Sequence, residues 1–141
     1  MLPPFNERGN LPPGIYEITW TELKNRFGFN SHRQSILIGL QAVLQLLGKA
    51  NCQRVDLGGS FVSNKEYPND FDGCYDDMSI DYDLLEPIFD EDLTAQRDRF
   101  VGELLAAPTF QGCLLRPHAD VKSAWAVRFS KQIEMVIPEE L

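Results

Sequence analysis

The chain has 141 residues, 43% hydrophobic and 24% charged, which suits one domain with one core and excludes a disordered composition. Its formal charge is −8, so its surface repels phosphate backbones and sequence-independent nucleic-acid binding is excluded as a main function. An acidic protein that handles a nucleotide needs a cation to bridge the two anions.

Residues 1–18 contain four of the nine prolines together with Gly9 and Gly14, and should form an extended arm lying on a single domain of residues 19–141. The start, Met1-Leu2-Pro3-Pro4, lacks the basic segment and apolar run of a signal peptide. Thr19-Trp20-Thr21-Glu22 has the spacing of a capping box, predicting a short helix to about Phe27 that Gly28 ends. Asn30 or Ser31 can cap a longer helix, on which Ile36, Leu37, Leu40, Leu44 and Leu47 share one face. Gly48 and Lys49 suit its C-terminus. Gln41 and Gln45 interrupt this apolar stretch, which is too short to span a bilayer.

A short strand, Arg54-Val55-Asp56-Leu57, runs into Gly58-Gly59-Ser60, and a second strand should pass through Phe71, Cys74 and Tyr75. The acid-rich interval 76–92 reads as a solvated loop; its spacing does not match a calcium-binding EF-hand. Leu93 to Ala106 reads as a helix. Trp125-Val127-Phe129 and Ile133-Met135-Ile137 alternate with period two, the sign of half-buried strands. Cys52, Cys74 and Cys113 are odd in number and lack a C-x-x-C pair, so free thiols in a reducing cytosol are expected. The chain as a whole reads as soluble and cytoplasmic, with no membrane association.

Asp70-Phe71-Asp72 carries the chemistry. On a strand, residues two apart face the same way at roughly 6.5–7 Å. Two carboxylates held there repel one another unless a cation sits between them. Oxygen-only ligands point to Mg²⁺ or Mn²⁺ over zinc. Alone, an Asp-x-Asp is more often a turn or an exposed edge. Its company is Gly58-Gly59 at a strand end, where backbone can approach a ligand and present N–H donors, with the Ser60 hydroxyl beside it.

The order strand, Gly58-Gly59-Ser60, nine intervening residues, Asp70-Phe71-Asp72 resembles the signature of the DNA polymerase beta-like nucleotidyltransferase superfamily. Leu57-Gly58-Gly59-Ser60-Phe61-Val62, Lys65, Pro68-Asn69-Asp70-Phe71-Asp72 and the opening Phe5-Asn6, Gly9, Leu11-Pro12-Pro13-Gly14-Ile15 look similar to a small bacterial subgroup of it. The likeness covers residues 5–76 well and the remainder loosely. It implies an α/β fold: a small, mixed, twisted sheet flanked by helices, mainly on one side. It also implies that Gly58, Gly59 and Ser60 hold a triphosphate and that Asp70 and Asp72 hold the metal. Lys65 would reach a phosphate or stand as a solvated loop lysine. A third carboxylate on a later strand completes such sites; Glu134 is the first choice and Asp120 the second.

The expected activity is therefore metal-dependent transfer of a nucleotidyl group from a nucleoside triphosphate, ATP first among them, to an acceptor hydroxyl. The resemblance implies acceptors among antibiotics, RNA ends and protein side chains, the last as in toxin–antitoxin pairs, where a partner protein supplies the hydroxyl. The alternative is a catalytically degenerate binding or antitoxin-like module of the same fold. A third reading is an acidic interaction protein whose Asp-x-Asp is accidental.

Overall fold

The computed structural model describes residues 2–89, 93–107 and 125–130. A five-stranded mixed sheet is built from β1 (Gly14–Glu17), β2 (Arg54–Gly58), β3 (Phe71–Tyr75), β4 (Gly102–Ala106) and β5 (Trp125–Ser130), in the order β1-β5-β2-β3-β4. The outer pairs β1–β5 and β3–β4 are parallel, whereas β2 runs antiparallel to both β5 and β3. Among the described residues, three α-helices accompany it: α1 (Trp20–Phe27), α2 (Ser31–Lys49) and α3 (Leu93–Phe100). No helix among the described residues is long and apolar enough to cross a membrane.

Local sequence explains most boundaries. Thr19 Oγ1 accepts from the Glu22 backbone N–H at 3.2 Å and Glu22 reaches back to the Thr19 N–H, closing the capping box of α1. Asn30 caps α2 by accepting from the Arg33 N–H at 2.8 Å. Gly48 lies inside α2, and the left-handed residue beyond its end is Asn51, at φ +67°, a residue whose short polar side chain tolerates that conformation.

Val55 and Leu57 of β2, Phe71 and Tyr75 of β3, Leu104 of β4 and Val127 and Phe129 of β5 are buried in one cluster. The same cluster holds Leu23 and Phe27 of α1, Leu40 and Leu44 of α2 and Phe100 of α3. Because strand side chains alternate, Asp56, Asp72, Glu103 and Arg128 occupy the other face of the sheet.

Two expectations are corrected. The helix beginning at Leu93 ends at Phe100, not Ala106; Val101 is left-handed at φ +61°, and residues 102–106 form β4 beside β3. Burying Leu104 against the sheet outweighs helix continuation, and Gln96 of α3 covers the outer edge of β4. Its side-chain amide donates to the Leu104 carbonyl at 3.2 Å and accepts from the Leu104 N–H at 2.9 Å, satisfying an edge that would otherwise invite pairing. Second, Cys74 is disulfide-bonded while Cys52 is free, against the expectation of free thiols throughout. Residues 14–17 of the arm also join the sheet as an edge strand. The predicted strand Ile133-Met135-Ile137 lies outside the described residues.

Candidate functional site

Strand β2 ends at Gly58, which pairs with Asp72 of β3. The chain then turns at Gly59, whose φ of +76° suits glycine, and enters a 3-10 turn at Ser60–Val62. A Cβ on Gly59 would lie 3.6 Å from Asp72 Oδ2. The turn and the carboxylate therefore address the same patch of space, as the pairing of β2 with β3 dictates. Asp70 lies one residue before β3 and Asp72 within it; both are half-buried.

Beneath the turn lies Arg33, whose residue surface is 0% exposed. Its Nη1 donates to the Phe27 and Phe61 carbonyls, both at 2.8 Å. Its Nη2 donates to the carbonyls of Ser63 and Lys65 at 2.8 Å and of Ser60 at 3.3 Å. Nε adds a second bond to Lys65 O at 3.0 Å. The guanidinium also lies 4.4 Å from the Phe29 ring centre and 5.1 Å from that of Phe61. One side chain of α2 thus fixes the carbonyls of the loop from Ser60 to Lys65. Burial pulls its pKa down to about 10, which leaves it charged at neutral pH.

A carboxylate does stand next to Asp72 on a neighbouring strand, and it is Glu103. Asp72 and Glu103 are register partners in the parallel β3–β4 ladder. Glu103 is held by Arg97 of α3, with Nε–Oε2 2.9 Å and Nη2–Oε1 3.2 Å. The Glu103 hydrogen bonds raise the pKa of Arg97, and the charges of Asp70 and Asp72 add to this. Among the described residues no three His, Cys, Asp or Glu side chains converge as a metal cage. Magnesium does not require one, since it is usually bound by one or two carboxylates together with substrate phosphates and water. The chemistry of Asp70 and Asp72, hard oxygen donors two residues apart with Asp72 against the turn, fits that mode. Glu134 and Asp120 lie outside the described residues.

On the same sheet face, Asp56 is completely buried and takes a two-pronged bond from Arg128, at 2.7 and 3.0 Å. Arg54 Nε lies 3.4 Å from Asp56 Oδ2. This cluster clamps β2 to β5 two residues before the Gly-Gly-Ser turn.

A cleft of about 480 Å³ opens beside the turn, lined by Gly59, Ser60, Ser63, Lys65 and Trp125 and reached by the N-terminal arm. Trp125 Nε1 donates to the Val62 carbonyl at 3.1 Å, fixing the indole at this edge. His32 pairs with the Pro68 carbonyl and lies edge-on to Tyr67, and it is not among the residues lining the cleft.

A family model matches residues 3–134; its description is a family of unknown function, DUF6932. The chain belongs to that family. Neither the comparison with curated proteins nor that with solved structures gives a match. The DUF6932 match starts at residue 3, so it takes in the arm as well as the turn, the Asp-x-Asp and β4.

In this DUF6932 chain, sequence reasoning missed Arg33 and Glu103. Arg33 had a legible signal, for it stands three and four residues before Ile36 and Leu37 in the buried helical stripe. A charge in such a stripe is rarely left without a specific role. Glu103 was hidden because its segment reads as helix, and only pairing with β3 makes it a neighbour of Asp72.

Proposed function

We propose that this chain is a metal-dependent nucleotidyltransferase of the DNA polymerase beta-like type, acting from a nucleoside triphosphate, ATP first among them, onto an acceptor hydroxyl. The observation that carries this reading is the pairing of Gly58 with Asp72, which leaves Asp72 Oδ2 3.6 Å from where a Cβ on Gly59 would stand. It sets an anion-accepting turn against one of the paired carboxylates. The mixed sheet with its helices packed in one core agrees with the fold that the sequence resemblance implies.

In this reading Gly59 and Ser60 hold the phosphates, and Gly58 keeps the strand end open to them. Asp70 and Asp72 would hold Mg²⁺ or Mn²⁺, which when bound supplies charge neutralisation at the transferring phosphate. The acceptor oxygen attacks the α-phosphorus in line, its proton passes to a carboxylate, and the bond to the β-phosphate oxygen breaks to release pyrophosphate. Glu103 replaces Glu134 as the third acid we put forward, because it stands beside Asp72. A hydroxyl on a protein partner is the acceptor class we favour.

Calorimetry with ATP and Mg²⁺ tests the site: the Asp70→Asn/Asp72→Asn variant should lose metal-dependent binding, and equal binding by that variant defeats the proposal. Labelled nucleotide with cell lysate then tests transfer. The Arg97–Glu103 ion pair favours one second reading, a catalytically degenerate binding module, because it already neutralises the third acid. Metal-dependent binding with no labelled product would select it.

A further inference from the structure

The N-terminal arm does more than lie on the domain. Residues 6–10 form a closed turn in which Asn6 Oδ1 accepts from the Arg8 and Asn10 N–H groups at 2.9 and 3.1 Å. Backbone bonds from Asn6 N to Asn10 O and from Gly9 N to Asn6 O, at 2.7 and 2.9 Å, complete it. The turn is fastened to the loop after the Gly-Gly-Ser turn. Asn64 N donates to Gly9 O at 2.8 Å, and Asn10 forms an antiparallel bridge with Ser63. Gly9 is left-handed at φ +78°, a conformation that strains any other residue, and a Cβ there would also push aside the Asn64 side-chain amide. The partner loop is itself immobilised by Arg33 through Ser63 O and Lys65 O.

This stitching makes Arg8 part of the cleft lining, together with Lys65 and Ser60. Among the described residues that line the cleft, these two are cations and none is an acid. In a chain of formal charge −8, such a local reversal of sign marks a place for an anion. An Arg presents a fork matched to phosphate oxygens and a Lys a mobile point charge, so the pair suits a chain of phosphates better than a single carboxylate.

We propose that Arg8 and Lys65 form a polyphosphate clamp, and that the arm is a working part of the site because it delivers Arg8. The inference rests on the reading above only for the ligand being a nucleoside triphosphate; the anion site stands on its own geometry. Arg8 is exposed, so its replacement leaves the core untouched.

The test is calorimetry of the full chain with inorganic tripolyphosphate in EDTA, then with Mg·ATP. Wild type should bind tripolyphosphate, and added salt should weaken it. Arg8→Ala and Lys65→Ala should each weaken binding at least tenfold, Arg8→Lys should restore part of it, and Gly9→Ala should act like Arg8→Ala by unseating the turn. Asp70→Asn/Asp72→Asn should bind tripolyphosphate as well as wild type or better. Tripolyphosphate that does not bind wild type, or binds Arg8→Ala equally, overturns the clamp. Arg8-dependent tripolyphosphate binding combined with Mg·ATP binding indifferent to the aspartates upholds the clamp and defeats the transferase reading. Aspartate-dependent Mg·ATP binding indifferent to Arg8 does the reverse.

Discussion

Asp72 of β3 and Glu103 of β4 are direct partners in a parallel ladder, so their carboxylates rise from the same face of neighbouring strands whose backbones lie about 4.8 Å apart. Like charges so placed repel, and Arg97, bonded to Glu103 at 2.9 Å, offsets that repulsion from the end of α3. The pair is what a divalent ion would have to share or displace.

Arg97→Ala should therefore cost little by itself, on the order of 1 kcal/mol, since the Arg97 side chain is 53% exposed. Its informative effect is on metal. Mn²⁺ should raise the melting temperature of Arg97→Ala more than that of wild type, and adding Asp72→Asn should remove the difference. Equal Mn²⁺ responses in all three proteins would show that Arg97 does not compete for this site.

Arg33 should be the most sensitive position near the turn. Arg33→Met keeps much of the volume but strips hydrogen bonds from five buried or half-buried carbonyls. The expected loss is about 3–5 kcal/mol, in the range for breaking a buried charge network, read by urea unfolding. Arg33→Lys should recover only part of it, because a point charge cannot match the planar fork.

Gly59→Ala tests the turn. The new Cβ would meet Asp72 at ordinary contact distance, 3.6 Å, so steric overlap is not the issue. The backbone at φ +76° and ψ −162° is, in a region essentially reserved for glycine, and it should cost roughly 1–3 kcal/mol. Mg·ATP affinity should fall about tenfold or more if the strained turn rearranges, a drop of about 1.4 kcal/mol or greater.

Asp56→Ala should destabilise by about 3–5 kcal/mol because it leaves Arg128 and Arg54 facing an empty, buried position. Replacing Asp56 and Arg128 together with leucine should cost less than the sum of the single changes. A thermodynamic cycle on the four proteins gives that coupling directly.

Burial pushes the Cys52 thiol up to about 11 from an ordinary 9.0. The folded state therefore favours the neutral thiol. Its contribution to stability is complete below pH 9 and is lost as pH rises from 9 to 11, where the unfolded chain ionises first. Unfolding free energy should fall across that window, and Cys52→Ser should flatten the fall. Iodoacetamide at pH 8 should leave Cys52 unmodified in the folded protein.

Features whose chemistry and position are local are legible in the residue order. The caps at Thr19 and Asn30 and the helical stripe from Ile36 to Leu47 depend on neighbours within a few residues, as does the alternation from Trp125 to Phe129. The Gly-Gly-Ser turn and the Asp-x-Asp pair were legible as motifs for the same reason. Tertiary structure alone decided what stands beside them. The helix expected to run through Glu103 stops at Phe100 because Leu104 gains more by burial next to Gly73 than by another helical turn, and that makes Glu103 a neighbour of Asp72. Arg33 gains its role from carbonyls some thirty residues away, and Arg8 from a turn that docks on Asn64. Each depends on contacts between distant segments, which local propensity and periodicity do not encode.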